Sequence, residues 1–135
     1  MPVRRTETLP INSDEDIVKV RQTVRSLAVE AGFSLVDQTK IVTAASELGR
    51  NTRVYGGGGS VQLEILDEDR RRGVRLTFRD QGPGIPDVAL AMRDGYTTGS
   101  GLGLGLGGAQ RLSNEFVIKS APGAGTEVMI ARWKQ

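Results

Sequence analysis

The sequence contains neither cysteine nor histidine, and these two absences remove several classes of function. Without cysteine the chain cannot form a disulfide framework, a zinc knuckle or a thiol nucleophile. Without histidine it lacks imidazole bases, histidine metal ligands and the phosphoacceptor of a histidine kinase. Carboxylates therefore remain as the candidate general bases.

Long apolar runs and a strong charge imbalance are missing as well. Residues 1–13 lack the apolar centre of a signal peptide, and no apolar run approaches the roughly 20 residues that span a bilayer. Eighteen Lys and Arg against sixteen Asp and Glu give a net charge of +2, which is weak support for nucleic-acid binding. The run Arg70–Arg72 lies beside acidic residues, as in a solvated hairpin loop. We expect a cytoplasmic protein that binds neither membranes nor nucleic acid.

The length of 135 residues and a hydrophobic content of 38% predict one domain, over residues 1–135, with a single core. Hydrophobic periodicity, capping residues and turn residues predict the secondary structure. The predicted elements are a strand at 3–11, helices from about 12 to Ala31 and from Ser34 to about Arg53, a hairpin with strands around 61–65 and 74–78, short helices at 87–93 and 109–114, and strands at 116–120 and 126–133. The fold class is α+β: a two-layer sandwich with helices on one face of a mixed β-sheet.

Glu47 and Asn51 are the first candidate functional pair. They lie four residues apart in the second predicted helix, so their side chains emerge on the same face and can converge on one ligand. Many helices carry Glu and Asn at this spacing on a solvated turn, and the pair alone indicates little.

A second candidate is Asp80–Gly84, which follows a strand with the sequence Asp-Gln-Gly-Pro-Gly. A carboxylate here can accept a hydrogen bond from an adenine amino group, and the glycines Gly82 and Gly84 let a flat group approach the backbone. An ordinary strand-to-helix turn explains this motif equally well, so the assignment depends on the glycine-rich segment further along the chain.

The segment 99–108 contains six glycines and predicts a phosphate-binding lid over about residues 94–108. Its backbone N–H groups can surround a phosphate, and Thr97, Thr98 and Ser100 add hydroxyl donors. A flexible linker is the alternative, but Leu102, Leu104 and Leu106 need apolar partners that linkers do not provide. The match to G-x-G-x-x-G lacks the preceding strand, and no glycine precedes the Lys-Ser or Lys-Thr of a Walker A loop.

Taken in order, four motifs resemble the ATP-site boxes of the GHKL superfamily, which has the Bergerat ATP-binding fold. They are Glu47–Asn51, Asp80–Gly84, the alternating glycines 101–105, and Gly125–Thr126. Length and the absent histidine point to its small stand-alone serine kinases. Glu47-Leu48-x-Arg50-Asn51, Asp94-Gly95-Tyr96 and Arg111-Leu112-x-x-Glu115-Phe116 are similar to the RsbT-type switch kinases.

The resemblance implies roles for these residues. Asn51 is expected to hold Mg²⁺, Glu47 to act as or near the general base, Asp80 to bind adenine, and Thr126 to support the water network beside it. The remaining residues expected to line the nucleotide are Gly82, Gly84, Thr98, Gly99, Ser100, Gly101, Leu102, Gly103, Leu104 and Gly105.

The resemblance also implies partners. Switch kinases of this type phosphorylate small STAS-domain antagonist or scaffold proteins with ATP and Mg²⁺, and on release they activate a metal-dependent serine phosphatase. Two alternatives remain: an anti-sigma factor kinase that sequesters a sigma subunit, and an ATP-gated binding module without significant kinase activity. Gly49, Leu104 and Gly107 depart from the expected pattern, and Gly49 costs about 1 kcal/mol of helix stability relative to alanine.

Overall fold

The structure is a computed structural model that describes residues 3–93 and 105–134. Its elements are β1 (Val3–Ile11), α1 (Asp14–Glu30), α2 (Leu35–Val54), β2 (Gly59–Glu68), β3 (Arg71–Asp80), α3 (Val88–Ala91), α4 (Gly105–Arg111), β4 (Glu115–Ser120) and β5 (Thr126–Trp133). The part of the lid prediction that covers residues 94–104 lies outside the described residues, together with Thr98–Leu104 of the candidate site.

The two long helices begin and end where the sequence predicts. The Ser13 hydroxyl accepts a hydrogen bond from the Asp16 N–H at 3.1 Å, and Ser34 accepts one from the Asp37 N–H at 3.2 Å. These bonds satisfy orphan donors of the first helical turns. At the end of α1, Gly32 has a φ of 85°, a left-handed conformation that suits glycine and stops the helix.

The sheet has the order β1-β2-β3-β5-β4, and each of its four strand pairs is antiparallel. The α+β two-layer class is confirmed, whereas the expectation of a mixed sheet is wrong. Strand β4 does run parallel to β3, as a crossover connection through α3 and α4 requires. However, β5 pairs between them, so among the described residues no parallel neighbours meet.

The core lies between the sheet and the helices. One face of α1 and α2 buries Val20, Val24, Leu27, Ile41 and Leu48 against inward residues of the strands. The buried inward residues of the strands are Leu9, Ile11, Val61, Leu63, Ile65, Val74, Leu76, Phe78, Val128 and Ile130. Their alternation with outward residues is the period of two that the sequence shows.

Helix α4 starts earlier than the sequence predicts. The expected helix covered Ala109–Asn114, but the structure forms α4 from Gly105 to Arg111, inside the glycine-rich segment. Leu106 and Ala109 lie one turn apart and are buried in the core. This burial outweighs the low helix propensity of the glycines. The predicted lid therefore overlaps a helix at residues 105–108.

Candidate functional site

A cavity of about 490 Å³ opens between the second half of α2 and the loop that follows β3. Helix α3, the start of α4 and the first residues of β5 complete its wall. Its lining residues are Glu47, Leu48, Arg50, Asn51, Thr52, Tyr55, Gly56, Phe78, Asp80, Pro83, Gly84, Ile85, Pro86, Asp87, Leu90, Ala91, Gly105, Leu106, Thr126 and Val128. The cavity is thus bounded by three of the sequence motifs and by the first residue after the undescribed segment.

Helix α2 supplies Glu47, Arg50 and Asn51 from one turn of its cavity face. The same turn is anchored by Leu48, which is 1% exposed, and by Thr52, whose hydroxyl donates to the Leu48 carbonyl at 3.0 Å. The Asn51 backbone carbonyl accepts the N–H groups of Tyr55 and Gly56 and ends the helix. The chain therefore places a carboxylate, a cation and an amide side by side on a fixed element.

Strand β3 ends at Asp80, which is flanked in register by Gly59 of β2 and Thr126 of β5. The Gly82 N–H donates to Asp80 Oδ1 at 2.9 Å, so the carboxylate folds back over its own turn. The neighbouring strands and this bond hold Asp80 at the cavity wall. Gly82 itself does not line the cavity and acts through Asp80.

Gly56 determines where the Asp80 side chain can lie. A Cβ at Gly56 would overlap the Asp80 carboxyl carbon and come within 2.5 Å of Oδ2, and a Cβ at Gly82 would meet the Gly56 backbone at 2.7 Å. The backbone at the end of α2 therefore lies directly against the Asp80 side chain and the turn after β3. The sequence indicated only that the run Gly56–Gly59 stops the helix, and it missed this role.

The β4–β5 turn, residues 121–125, packs against the loop after β3. Gly84 has a φ of 78° and passes so close to the Ala121 carbonyl that no Cβ fits between them. The Gly123 N–H also donates to the Pro83 carbonyl at 2.7 Å. The Ser120 hydroxyl contacts Ile85, Gly125 and Thr126. Thr126 and Gly84 are therefore held in one assembly, and nothing in the sequence indicated Ser120.

Much of the remaining wall is apolar and can enclose a flat ring. Phe78 and Leu106 are 2% and 6% exposed, and Ile85 packs against the same core. Tyr55 is 38% exposed at the rim of the cavity. A purine has two apolar faces and a polar edge, so apolar walls beside the Asp80 carboxylate suit it.

The predicted site residues are thus partly brought together. Glu47, Asn51, Asp80, Gly84, Gly105 and Thr126 line one cavity. Gly82 supports Asp80, and Thr98–Leu104 lie outside the described residues. Leu106, which the sequence indicated only as needing an apolar partner, is buried and lines the cavity.

The oxygen atoms that line the cavity suit a metal ion with few protein ligands better than one enclosed by several carboxylates. Among the residues that the structure describes, no group of three or more Asp or Glu could enclose a metal ion. Asn51 offers a single amide oxygen in the cavity. Mg²⁺ accepts such hard oxygen ligands, and it commonly takes few from the protein and the rest from phosphates and water. The residues therefore fit an ion that arrives with a phosphate ligand.

In the described ranges, 3–93 and 105–134, no helix is long and apolar enough to cross a membrane.

Comparison with known proteins gives consistent results. The family described as "Histidine kinase-, DNA gyrase B-, and HSP90-like ATPase" matches residues 36–135. The serine/threonine-protein kinase RsbT of Bacillus subtilis is 45% identical over 123 residues, which cover 91% of this chain and 92% of the relative. An anti-sigma F factor of Bacillus licheniformis is 30% identical over 119 residues, covering 83% of this chain and 80% of the relative.

Comparison with solved structures identifies a protein with a similar fold. The chain superimposes on a crystal structure of the RsbU and RsbW domains of a Mycobacterium tuberculosis protein with a TM-score of 0.65 and 22% identity. The match covers 98% of this chain and 32% of that one. At this identity the similarity concerns the fold alone.

Proposed function

The chain belongs to the family of histidine kinase-, DNA gyrase B- and HSP90-like ATPases and, within it, to the RsbT-type serine/threonine-protein kinases; we propose that it phosphorylates STAS-domain proteins of a partner-switching pathway. The activity is transfer of phosphate from ATP to a protein hydroxyl. The observation that carries the assignment is the meeting of Glu47, Asn51, Asp80 and Thr126 around one cavity, in a chain 45% identical to a named kinase.

Asp80 and Thr126 form the base-binding end of the proposed site. A carboxylate accepts but does not donate, so Asp80 suits the 6-amino group of adenine. Val128 and Phe78 line the same region and provide apolar contact for the ring. Adenine recognition by this chain therefore needs one polar edge contact and a closely fitting apolar slot.

Glu47 and Asn51 form the proposed reacting end. Glu47 would accept the proton of the attacking hydroxyl, because no histidine exists to do so. The side-chain oxygen of Asn51 would hold Mg²⁺, which supplies charge neutralisation on the phosphates when bound. Arg50 lines the cavity beside both residues and adds a positive charge to this end. Phosphoryl transfer depends mainly on positioning and electrostatics, which such a helix turn can provide.

We propose that Gly99, Ser100, Gly101 and the following residues to Gly105 close over the phosphates. The support comes from sequence composition and from Gly105 and Leu106, which end this segment at the cavity wall. The release of the kinase to activate a metal-dependent serine phosphatase, and action in the cytoplasm where ATP is available, are further parts of the proposal. They rest on similarity to the RsbT-type kinases.

The direct test uses purified protein, ATP-Mg²⁺ and the STAS-domain proteins encoded beside it, with phosphate transfer followed by intact mass. We expect transfer by the wild type and its loss in Asn51→Ala. Glu68→Gln, at the far end of β2, serves as the control that should keep activity. It replaces a partly exposed carboxylate whose ion pair with Arg71 spans 3.1 Å.

The anti-sigma F relatives at about 30% identity favour one alternative, capture of a sigma subunit. A protein that binds ATP but transfers no phosphate to any STAS-domain partner would contradict the switch-kinase proposal. Binding of a sigma subunit would then support the anti-sigma function, and its absence an ATP-gated binding module.

A further inference from the structure

The hydroxyl of Ser120 joins three separate segments beside the proposed base pocket. It accepts the Ile85 N–H at 2.8 Å, lies 3.1 Å from the Gly125 carbonyl, and is 2.8 Å from the Thr126 hydroxyl oxygen. These partners belong to the loop after β3, the β4–β5 turn and the start of β5. Ser120 does not line the cavity itself, whereas Ile85 and Thr126 do.

The number of protons at this junction restricts what each hydroxyl can do. A serine hydroxyl has one proton and two lone pairs. The Ile85 N–H can only donate and the Gly125 carbonyl can only accept. Ser120 therefore accepts from Ile85 with one lone pair and donates its proton to Gly125. Its remaining lone pair then accepts the Thr126 proton. This arrangement satisfies every contact, and it leaves Thr126 only lone pairs for the cavity.

The same wall of the cavity therefore presents acceptors. Asp80 is opposite Thr126 in the β3–β5 register, and its ionised carboxylate also offers lone pairs only. A 6-amino group on a purine supplies two donors and matches such a wall. A 6-oxo group supplies an acceptor and is repelled by it.

We propose that Ser120 is a positioning residue that fixes the Thr126 proton and thereby makes the cavity select a 6-aminopurine over a 6-oxopurine nucleotide. This inference rests on the proposed placement of the base between Asp80 and Thr126. Removal of the Ser120 hydroxyl frees the Thr126 proton, which can then donate to a 6-oxo group. It also leaves the Ile85 N–H without its acceptor, so the loop loosens.

The test compares ATP with inosine triphosphate, which carries oxygen in place of the 6-amino group and a proton on N1. The N1 difference is the same for every variant, so it cancels when the preferences of the variants are compared. Dissociation constants for both Mg²⁺ complexes are measured by calorimetry for the wild type, Ser120→Ala, Ser120→Cys and Ser120→Thr. Ser113→Ala is the matched control, since it removes a half-buried hydroxyl that bonds the Ala109 carbonyl at 2.7 Å outside the cavity. Thermal unfolding without nucleotide checks that each variant is folded.

We expect the ratio of the dissociation constants for inosine triphosphate and ATP to fall by about tenfold in Ser120→Ala, which is the effect of one hydrogen bond. Ser120→Cys, nearly isosteric and a poor hydrogen-bonding partner, should change in the same direction and serves if the alanine variant does not fold. Ser120→Thr keeps the hydroxyl and should keep the preference, as should Ser113→Ala.

Two results contradict different claims. If affinity for both nucleotides falls in parallel and the preference stays constant in Ser120→Ala and Ser120→Cys, Ser120 has a structural role only and the inference fails. If the wild type itself shows no preference for ATP, the proposed placement of the base against Asp80 fails first.

Discussion

Glycines and other residues that do not themselves contact the proposed nucleotide determine whether the nucleotide-binding side chains can lie at the cavity wall. Gly56 leaves the space that the Asp80 carboxylate occupies, and Gly84 lets the loop after β3 touch the β4–β5 turn. The motifs around Asp80 and Glu47 were visible in the sequence because their residue types carry chemistry. Gly56 and Ser120 were not, because their contribution depends on neighbours distant in the chain.

Gly56→Ala is predicted to weaken ATP binding by about tenfold or more, because the new methyl group would displace the Asp80 carboxylate. Calorimetric titration with ATP-Mg²⁺ measures the effect. Gly57→Ala is the matched control: Gly57 has a φ of 75° but open space around its Cβ position. It should lose about 1 kcal/mol of stability through backbone strain and retain affinity. Equal losses of affinity in both variants would show that the Gly56 contact does not position Asp80.

At the scale of elements, the local signals predicted the long helices well and the glycine-rich region poorly. Capping serines and regular apolar spacing define α1 and α2 whatever they pack against. Helix α4 depends on the burial of Leu106 and Ala109 in the core. The sequence of residues 105–111 alone does not show this burial, because the core residues around them lie elsewhere in the chain. The strand order likewise needs tertiary information, because the insertion of β5 between β3 and β4 leaves no local trace.

Gly49→Ala tests the helix that carries Glu47 and Asn51. A Cβ at Gly49 would make ordinary contacts of 3.8 Å and 3.9 Å with Ile17 and Phe78, and alanine is the better helix former. We expect the free energy of unfolding in urea to rise by up to about 1 kcal/mol, with ATP affinity unchanged. A destabilised variant would mean that the α2 packing has no room for the methyl group.

At the scale of the whole molecule, one buried ion pair joins the helical layer to the sheet. Arg132 of β5 donates to Asp37 Oδ1 of α2 at 2.7 Å and to the Leu112 carbonyl, after α4, at 2.8 Å. Both charged side chains are about nine-tenths buried. The Arg132 guanidinium, through its hydrogen bond, holds the pKa of Asp37 below its usual value.

Asp37→Ala is predicted to lower the free energy of unfolding by about 3 kcal/mol, because it leaves the Arg132 charge buried and unpaired. Urea unfolding at neutral pH measures the change. Asp67→Ala provides the comparison, since the Arg72 hydrogen bond also lowers the pKa of Asp67 but this carboxylate is exposed. Its removal should leave stability nearly unchanged. Similar effects in the two variants would contradict the importance assigned to burial.

The same pair predicts a pH dependence. Because the pKa of Asp37 is lower in the folded than in the unfolded protein, its carboxylate stabilises the fold fully at pH values above the unfolded pKa of about 3.9. This contribution is lost as the pH falls through the lower pKa of the folded state. The stability difference between wild type and Asp37→Ala should therefore be constant near neutral pH and shrink below about pH 4. Unfolding curves at several pH values measure it, and a difference independent of pH down to acid unfolding would exclude the linkage.

We propose that this cavity holds ATP for phosphate transfer, with Glu47 as the proton acceptor. The most direct measurement is single-turnover transfer from ATP-Mg²⁺ to a STAS-domain partner by Glu47→Gln, with the bound fraction of ATP determined in the same samples. If Glu47 accepts the proton, the rate of transfer should fall by about 10²–10⁴-fold at unchanged ATP occupancy. Transfer at the wild-type rate would contradict this proposal.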